Sequence, residues 1–369
     1  MIWTLRTVVA LLATAVLVVT GCTHGAPEPA ASPAGPRVGA TSNGLTLDGR
    51  PWYPTGVNAY QLATDWSVNL GCGAMVDLDE YFSALPPRSL TRFDAFQALA
   101  IDRTTGTLNY SAVDAVFDAA RAHDQLVVPV LTAQDGACED EVFKDREWYV
   151  DGWRSVAASA AVVSFEDWIR IAVERWRDEP ALAAWETVGE PETSVCGLTC
   201  DWFDRSCPAD AAAVLRAFTD ATGALMRSLD PRTLVTAGLT GGGQCGTQGD
   251  EYELIAASPY VDVLQYHDYG ADGVALPGDR WNGLVRRFEQ ANRVGKPLLV
   301  AEIGQAAGSC LDPAERAADI DAKVTGQRDA GSAGFLLWAF VPDPRPAECT
   351  FDIGYDDPLW SVIAAHGSG

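Results

Sequence analysis

The sequence predicts an α/β protein of the (β/α)8, or TIM-barrel, class, because short apolar runs alternate with amphipathic stretches along most of its length. Eight apolar runs have the length of buried strands, and each ends in polar or Gly-rich residues. From Tyr53 to Phe340 there are 288 residues, or 36 for each of eight units, which is about the length of one strand, one helix and two loops. The predicted strands are 54–58, 89–94, 126–131, 182–188, 234–239, 261–266, 298–303 and 334–340.

The stretches between these strands are typical of helices. Residues 111–123, 164–177, 209–229 and 313–330 carry apolar side chains at spacings of three and four, which places those side chains on one face of a helix. Pro208 and Pro313 stand at the starts of two of these stretches, where the missing backbone N–H does no harm. An open doubly wound sheet is the alternative, and it is disfavoured because no Gly-rich phosphate loop follows the first strand.

The N-terminus has the pattern of an export signal. Residues 1–21 carry one charge, on Arg6, followed by the apolar run 8–19, which is too short to span a bilayer as a permanent helix. The small residues before Cys22 resemble a bacterial lipobox, which implies lipid attachment at Cys22 and a protein anchored on the outer face of the bacterial cell membrane. An ordinary cleaved signal peptide is the alternative.

Composition also predicts the domain organisation and the partners. Residues 22–41 are rich in Ala, Pro, Gly and Ser and are expected to form a flexible tether. Residues 42–369 then form a single catalytic domain, which we expect to be monomeric. The formal net charge of -24 argues against nucleic acid as a partner and favours a neutral or cationic substrate.

Eight cysteines besides Cys22 indicate a disulfide framework, because an even number in an exported protein is typical of disulfides. All eight follow the carboxyl ends of predicted strands, on the face where barrel enzymes act. Three of them are close enough in sequence to suggest a zinc cluster, but no histidine lies near them. Neighbouring loops suggest pairs such as Cys310 with Cys349, and the remaining connectivity is open. The eight are Cys72, Cys138, Cys196, Cys200, Cys207, Cys245, Cys310 and Cys349.

Two of the predicted strands finish on a glutamate. Glu190 follows the fourth strand and Glu302 ends the seventh, so both are expected at one mouth of the barrel. Hydrolysis of a glycosidic bond requires such a pair, with one acid to protonate the leaving oxygen and one carboxylate to attack carbon. Either glutamate alone would more often be a solvated acid at a loop end, whereas the pair favours catalysis. Glu186 lies deeper in the barrel, where we expect a structural role.

Several segments resemble clan A glycoside hydrolases, and family 5 in particular, over nearly the whole predicted domain. Residues 185–191, Trp-Glu-Thr-Val-Gly-Glu-Pro, are similar to the family segment Trp-Glu-x-x-Asn-Glu-Pro, and residues 265–269, Gln-Tyr-His-Asp-Tyr, to its His-x-Tyr segment. Residues 43–51 and 56–60 resemble the opening of family 5 mannanases and related enzymes. Arg92 and residues 335–338 resemble the strand-two arginine and the strand-eight tryptophan.

This resemblance implies retaining hydrolysis, with Glu190 as general acid/base and Glu302 as nucleophile. It also implies substrate-binding roles for Arg92, His267, Tyr269 and Trp338, with Tyr269 or Tyr266 orienting Glu302. We expect the ionised Glu302 to raise the pKa of Glu190 and keep it protonated near neutrality. No metal or organic cofactor is expected. Five further tryptophans in predicted loops are candidates to extend the sugar-stacking surface of Trp338: Trp66, Trp148, Trp153, Trp202 and Trp281.

Gly189 departs from the family pattern. The family has asparagine at this position, and its amide contacts the sugar 2-hydroxyl, which glycine cannot do. Three interpretations follow. The substrate is a furanoside, such as galactofuranose or arabinofuranose; or it is a β-mannan or β-glucan held in a weakened subsite; or the protein is a glycan-binding surface lipoprotein with weak or lost hydrolysis. The third is disfavoured, because a binding module gains nothing from two close carboxylates that repel each other.

Overall fold

The structure is a computed structural model that describes residues 38–67, 72–102, 104–139, 141–156 and 162–367. The strands in these ranges are β1 Val38–Thr41, β2 Gly44–Leu47, β3 Arg50–Trp52, β4 Thr55–Asn58, β5 Leu90–Asp94, β6 Leu126–Val130, β7 Ala184–Glu186, β8 Val195–Cys196, β9 Arg205–Ser206, β10 Leu234–Thr236, β11 Leu264–Asp268, β12 Leu298–Ile303, β13 Ala307–Gly308, β14 Phe335–Leu337 and β15 Cys349–Thr350. The α-helices are α1 Leu78–Ala84, α2 Ser111–Ala122, α3 Arg146–Val150, α4 Phe165–Trp176, α5 Ala211–Leu229, α6 Glu251–Ala256, α7 Leu284–Val294, α8 Pro313–Asp329 and α9 Leu359–His366.

Eight parallel strands form the barrel, in the order β10-β7-β6-β5-β4-β14-β12-β11. A parallel bridge between Thr236 and Val263 joins the two outer members of this order, so the sheet closes on itself. The eight strands correspond to the eight apolar runs of the sequence, and the predicted (β/α)8 fold is confirmed. Because every strand is parallel, all loops that follow the strands lie on one face of the barrel.

Four helices correspond to the amphipathic stretches of the sequence. Helices α2, α4, α5 and α8 each begin and end within two residues of the predicted bounds. The hydroxyl of Ser164 accepts a hydrogen bond from the backbone N–H of Asp167 and caps α4, while Asp312 caps α8 ahead of Pro313. These caps satisfy N–H groups that have no partner inside the helix.

An antiparallel sheet of β1, β2 and β3 covers the amino-terminal end of the barrel. Its side chains Leu45, Leu47 and Trp52 are buried in one apolar cluster with Leu90 and Leu126, which are the first residues of β5 and β6. The tether predicted for residues 22–41 is too long, because residues 38–41 form β1. The hydrogen bonds of β1 to β2 outweigh the loop-like composition at this end of the segment.

The sixth barrel strand begins and ends later than predicted. The prediction was 261–266, whereas β11 is Leu264–Asp268, because Val263 makes only an isolated bridge and the regular pairing with β12 starts at Leu264. The shift places His267 inside the strand. The imidazole of His267 is therefore positioned by the regular strand backbone and not by a loop.

Four disulfides lie in the loops after the barrel strands, as predicted. Three of them join different loops, and the predicted Cys310–Cys349 pair is confirmed. The other pairs are Cys72–Cys138, Cys207–Cys245 and Cys196–Cys200. Cross-links of this kind limit the conformations that the loops can adopt and so hold the rim of the barrel in one arrangement.

The predicted export signal and lipid-attachment residue Cys22 lie outside the described residues. Within the described ranges, no helix has the length and apolarity needed to cross a membrane.

Candidate active site

A cleft of about 900 Å³ opens at the carboxyl ends of the barrel strands. Glu190 and Glu302 both line it, together with Arg92, Tyr269 and Trp338. The sequence separates Glu190 from Glu302 by more than a hundred residues. The parallel barrel brings them to the same place because Glu190 follows the carboxyl end of β7 and Glu302 lies at the carboxyl end of β12.

Glu302 is a buried carboxylate held by two protein donors. It belongs to β12 and is 3% exposed. Nη1 of Arg92 donates to Oε1 of Glu302 at 2.8 Å, and the hydroxyl of Tyr269 donates to Oε2 at 2.5 Å. The predicted orienting role of Tyr269 thus matches its position, while Tyr266 points to other neighbours. With both oxygens anchored, Glu302 has a fixed direction of approach to the cleft.

Arg92 lines the cleft and also holds buried carboxylates in place. Its Nε and Nη2 both donate to the carboxylate of Glu186, at 2.9 and 2.7 Å, and Nη1 donates to Asn58 at 3.0 Å as well as to Glu302. Four of its five N–H groups are therefore used inside the protein. These contacts give Arg92 a positioning role, and the substrate-binding role implied by the resemblance stays a prediction.

Glu186 has the structural role expected from the sequence. It is completely buried and receives, besides Arg92, a hydrogen bond from Nε2 of Gln265 at 2.8 Å. The bidentate arginine compensates for the burial of this carboxylate. Glu186 thereby fixes the guanidinium that in turn fixes Glu302.

Glu190 stands on a strained backbone at the start of a loop. Its φ of 63° lies in the left-handed region, which is uncommon for a residue other than glycine, and its N–H donates to the carbonyl of Gly238 at 3.0 Å. The side chain is 46% exposed. The left-handed turn directs the carboxyl into the cleft, and residues held in such conformations are concentrated at functional sites.

His267 touches both carboxylates. Its Nδ1 lies 2.6 Å from Oε1 of Glu190 and 3.4 Å from Oε1 of Glu302, and its side chain is 1% exposed. The expectation that His267 supports a substrate hydroxyl is corrected by this geometry, because the ring is buried beneath the two glutamates. Among the described residues, its Nε2 has no hydrogen-bond partner.

The pKa values of this group differ from the sequence-based expectation. Burial raises the pKa of Glu190, but the hydrogen bond and charge of His267 outweigh it, so the net pKa lies below the ordinary value. Burial lowers the pKa of His267, and the two glutamates more than reverse this. Burial raises the pKa of Glu302 above its ordinary value, against His267 and Arg92. These directions favour the protonated form of His267 and the ionised form of Glu190, which are one hydrogen bond apart.

The separation of the two carboxylates defines which chemistry the pair can perform. One oxygen of Glu190 and one of Glu302 lie within 4.8 Å of each other. Carboxylates about 5 to 5.5 Å apart suit direct attack on carbon, whereas about 6.5 to 9.5 Å leaves room for a water in between. The observed spacing suits a nucleophile and an acid/base.

The same three side chains have the spacing of a metal-binding group. Glu190, His267 and Glu302 each offer one ligand atom, and these atoms all lie within 4.8 Å of one another. Within the described part of the chain, this is the one group of His, Cys, Asp or Glu side chains that is close enough to hold a metal ion. Their atoms already pair with one another through the His267 to Glu190 hydrogen bond. A cation would have to displace that proton, so the donor set fits proton transfer better than metal binding.

Aromatic side chains form part of the cleft wall. Trp338 stacks on Tyr60, with ring centroids 5.8 Å apart, and both line the cleft. Of the five loop tryptophans considered as extensions, Trp202 lines the cleft and is 61% exposed. The other four do not line it: Trp153 is buried, Trp66 and Trp148 are packed against the core, and Trp281 is exposed elsewhere.

Gly189 is surrounded on its side-chain face. A Cβ at this position would lie 3.1 Å from Nη2 of Arg92 and 3.4 Å from Cγ1 of Val130. Its N–H donates to the carbonyl of Thr132 at 2.9 Å, and its carbonyl accepts from Gln134 at 3.0 Å. The orientation of Arg92 thus explains why a larger residue does not fit easily, and no side chain reaches the cleft from this position.

Several members of the site were not predicted from the sequence. Asn58 is part of a segment quoted for the family resemblance, and Gln265 is the first residue of the segment 265–269, but the resemblance implied no role for either. Their amides bind Arg92 and Glu186. The signal that could have found them is their place at strand ends beside the assigned residues.

Fold and site together define a (β/α)8 barrel protein whose mouth carries a close carboxylate pair, the arrangement found in retaining glycoside hydrolases. No protein-family model matches the chain, but individual proteins are similar to it in sequence and in fold.

Two fungal proteins are similar in sequence. The chain is 25% identical over 344 residues to a probable mannan endo-1,4-beta-mannosidase F of Aspergillus flavus, an alignment that covers 82% of this chain and 66% of that protein. It is 28% identical over 324 residues to the mannan endo-1,4-beta-mannosidase F of Aspergillus clavatus, covering 76% and 67%. The chain thus spans about two thirds of the length of these curated relatives.

Two solved structures are similar in fold. The endo-1,4-beta-mannanase from Rhizomucor miehei has a TM-score of 0.63 at 17% identity, covering 89% of this chain and 97% of that one. The endo-beta-1,4-mannanase from Thermotoga petrophila has a TM-score of 0.60 at 14% identity, covering 86% and 77%. These structures support the barrel fold.

Proposed function

We propose that the protein is a retaining β-glycoside hydrolase that acts on β-mannan, with Glu190 as general acid/base and Glu302 as nucleophile. The observation that carries the proposal is the pair of carboxylates within 4.8 Å at the mouth of a barrel. The pair has unequal surroundings, because Glu302 is buried and anchored while Glu190 is half exposed. The similarity to mannan endo-1,4-beta-mannosidases supports β-mannan as the substrate class.

The first half of the reaction forms a covalent glycosyl-enzyme. Glu302 attacks the anomeric carbon while Glu190 gives a proton to the leaving oxygen. That proton comes from His267 through the 2.6 Å contact. Arg92 and Tyr269 hold both oxygens of Glu302, so the nucleophile does not have to reorient during attack.

The second half releases the sugar. Once Glu302 is esterified, its negative charge is gone, and His267 is neutral because its proton has left through Glu190. Glu190, now deprotonated, accepts a proton from water, which attacks the anomeric carbon and frees Glu302. Two inversions at one carbon give net retention of configuration.

A substrate panel tests the activity. We expect the purified chain to release reducing sugar from β-1,4-mannan and aryl β-mannosides, with proton NMR showing the β-anomer as first product. Aryl β-glucosides, galactofuranosides and arabinofuranosides complete the panel. Faster cleavage of a furanoside than of the β-mannosides would show that the substrate is a furanoside and not β-mannan. Binding of mannan without cleavage of any glycoside would favour the glycan-binding alternative.

Azide separates the roles of the two glutamates. In Glu302→Ala, azide can take the place of the missing nucleophile and yields an α-glycosyl azide from an activated β-glycoside. In Glu190→Ala, azide intercepts the glycosyl-enzyme and yields the β-glycosyl azide. Turnover of Glu302→Ala at the wild-type rate on the best substrate would end the assignment of the nucleophile.

We also propose that the protein is exported and anchored to the outer face of the cell membrane through a lipid on Cys22. The support is the apolar run 8–19 followed by small residues and a cysteine. Cys22→Ala should move the protein from the membrane fraction to the soluble fraction. Membrane retention of that variant at the wild-type level would contradict lipid anchoring.

A further inference from the structure

Asp94 is a carboxylate of the cleft that takes no part in the proposed reaction. It is the last residue of β5, two positions after Arg92, so both side chains project from the same face of the strand. Asp94 lines the cleft together with Tyr60 and Glu302. None of the segments that carry the family resemblance includes it.

Asp94 also differs from neighbouring acids in having no partner. Within the described residues, its carboxylate makes no hydrogen bond or ion pair, whereas Glu192 pairs with Arg205 at 3.3 Å and Asp352 with Arg345 at 2.9 Å. Burial and the nearby carboxylates of Glu139 and Glu302 raise the pKa of Asp94, against the opposing charge of Arg92. This half-buried carboxylate at the cleft wall pairs with no group of the described residues.

Asp94 stands beside the position where the family contact is missing. In the barrel sheet Asp94 is the register partner of Val130, and Cγ1 of Val130 lies 3.4 Å from the place that a Cβ of Gly189 would occupy. Asp94 and Gly189 therefore lie on either side of the carboxyl end of β6. Both line the cleft, so a sugar bound above Gly189 would also lie beside the carboxylate of Asp94.

We propose that Asp94 is a specificity-determining residue, whose carboxyl group binds a hydroxyl of the sugar held against Glu302 and supplies the contact that Gly189 cannot make. The inference rests on the proposed glycosidase function and adds to it the residue that selects the sugar. A sugar hydroxyl both donates and accepts, so it can pair with this carboxyl in either protonation state. Sugar binding then gives Asp94 the partner that it lacks in the free protein.

The test combines Asp94 variants with monodeoxy substrates. We would measure kcat/KM of wild type, Asp94→Ala and Asp94→Asn on an aryl β-mannoside and on its 2-, 3-, 4- and 6-deoxy analogues. A hydrogen bond to a charged group corresponds to roughly a 10- to 100-fold effect, which we expect Asp94→Ala to lose on the parent sugar. On one deoxy analogue the same variant should lose less than about threefold, because the hydroxyl that Asp94 binds is already gone.

Two controls make the result specific. Asp94→Asn keeps an acceptor oxygen and should retain most of the activity. Asp343→Ala removes an exposed acid that, like Asp94, helps to raise the pKa of Tyr60. This variant should keep the wild-type kcat/KM on all five substrates. An equal loss on every deoxy analogue, or wild-type rates for Asp94→Ala, would overturn the assignment while leaving the glycosidase function intact. Failure of the wild type to cleave any glycoside would overturn both.

Discussion

Nδ1 of His267 lies 2.6 Å from Oε1 of Glu190, and this contact changes the pKa of both groups. It lowers the pKa of Glu190 against the effect of burial and helps to raise the pKa of His267. The acid/base of the proposed reaction is thus a coupled pair that shares one proton. Activity on the alkaline side should follow the raised pKa of the histidine.

His267→Asn should therefore narrow the pH profile of kcat/KM from both sides. Without the positive ring, the pKa of Glu302 rises further, so the acidic limb, which requires ionised Glu302, moves to higher pH. The alkaline limb then depends on a lone glutamic acid and moves to lower pH. Rates measured from about pH 4 to pH 9 test this, with His123→Asn, a surface histidine paired with Asp79, as control. An unchanged alkaline limb would show that His267 does not hold the catalytic proton.

Arg92 should be required for both stability and catalysis. Arg92→Met leaves Glu186 and Glu302 buried without their shared counter-charge, and breaking a buried ion pair typically costs about 3 to 5 kcal/mol. The pKa of Glu302 should rise as well, which moves the acidic limb to higher pH. Urea unfolding and the pH profile measure the two effects. Arg232→Met, which breaks a surface pair with Asp178, should change neither, and an equal response of the two variants would contradict the role of Arg92.

The shared position of the two glutamates could be predicted because its signal is local. Glu190 and Glu302 each lie at or just after the end of an apolar strand, and the barrel order alone brings them to one mouth. Gly189 and Trp338 were found in the same way, since each lies in a short motif. The eight strands and four long helices follow from apolar periodicity, which depends on neighbouring residues only.

The side-chain contacts between strands could not be predicted, because they depend on the geometry of residues that are far apart in the sequence. His267 and Glu190 are 77 residues apart, and the 2.6 Å contact follows from a strand that ends two residues later than predicted. The direction of Arg92 depends on the buried Glu186. Asp94 belongs to no motif, and only the absence of a partner among the described residues distinguishes it.

Trp202 should contribute to binding of long substrates. It is 61% exposed at the rim of the cleft, in the loop between β8 and β9, which also holds the Cys196–Cys200 disulfide. The guanidinium of Arg205 lies 5.1 Å from the centroid of its ring. Stacking of aromatic groups contributes about 0.5 to 1.5 kcal/mol, so Trp202→Ala should raise KM for mannan oligosaccharides roughly 2- to 10-fold. The short aryl β-mannoside should be unaffected.

Trp281→Ala is the matched control for this prediction, because Trp281 is similarly exposed, at 55%, but lies away from the cleft. Equal KM changes for the two variants would rule out a distal subsite at Trp202. A loss by Trp202→Ala on the short substrate would place the ring next to the reacting sugar instead.

Gly189 should resist replacement even by the asparagine of the family pattern. A Cβ would lie 3.1 Å from Nη2 of Arg92, and Arg92 is fixed by four hydrogen bonds, so any displacement passes to Glu302. Since misplacement of a catalytic group by about 1 Å can cost 10²-fold, we expect Gly189→Ala to lower kcat roughly tenfold with little change in KM. Gly242→Ala, whose Cβ would meet only the side chain of Gln244 at 3.5 Å, should keep wild-type kcat. An increase in kcat for Gly189→Asn would show that the glycine is not imposed by Arg92, since the added amide would then have gained a sugar contact without disturbing the nucleophile.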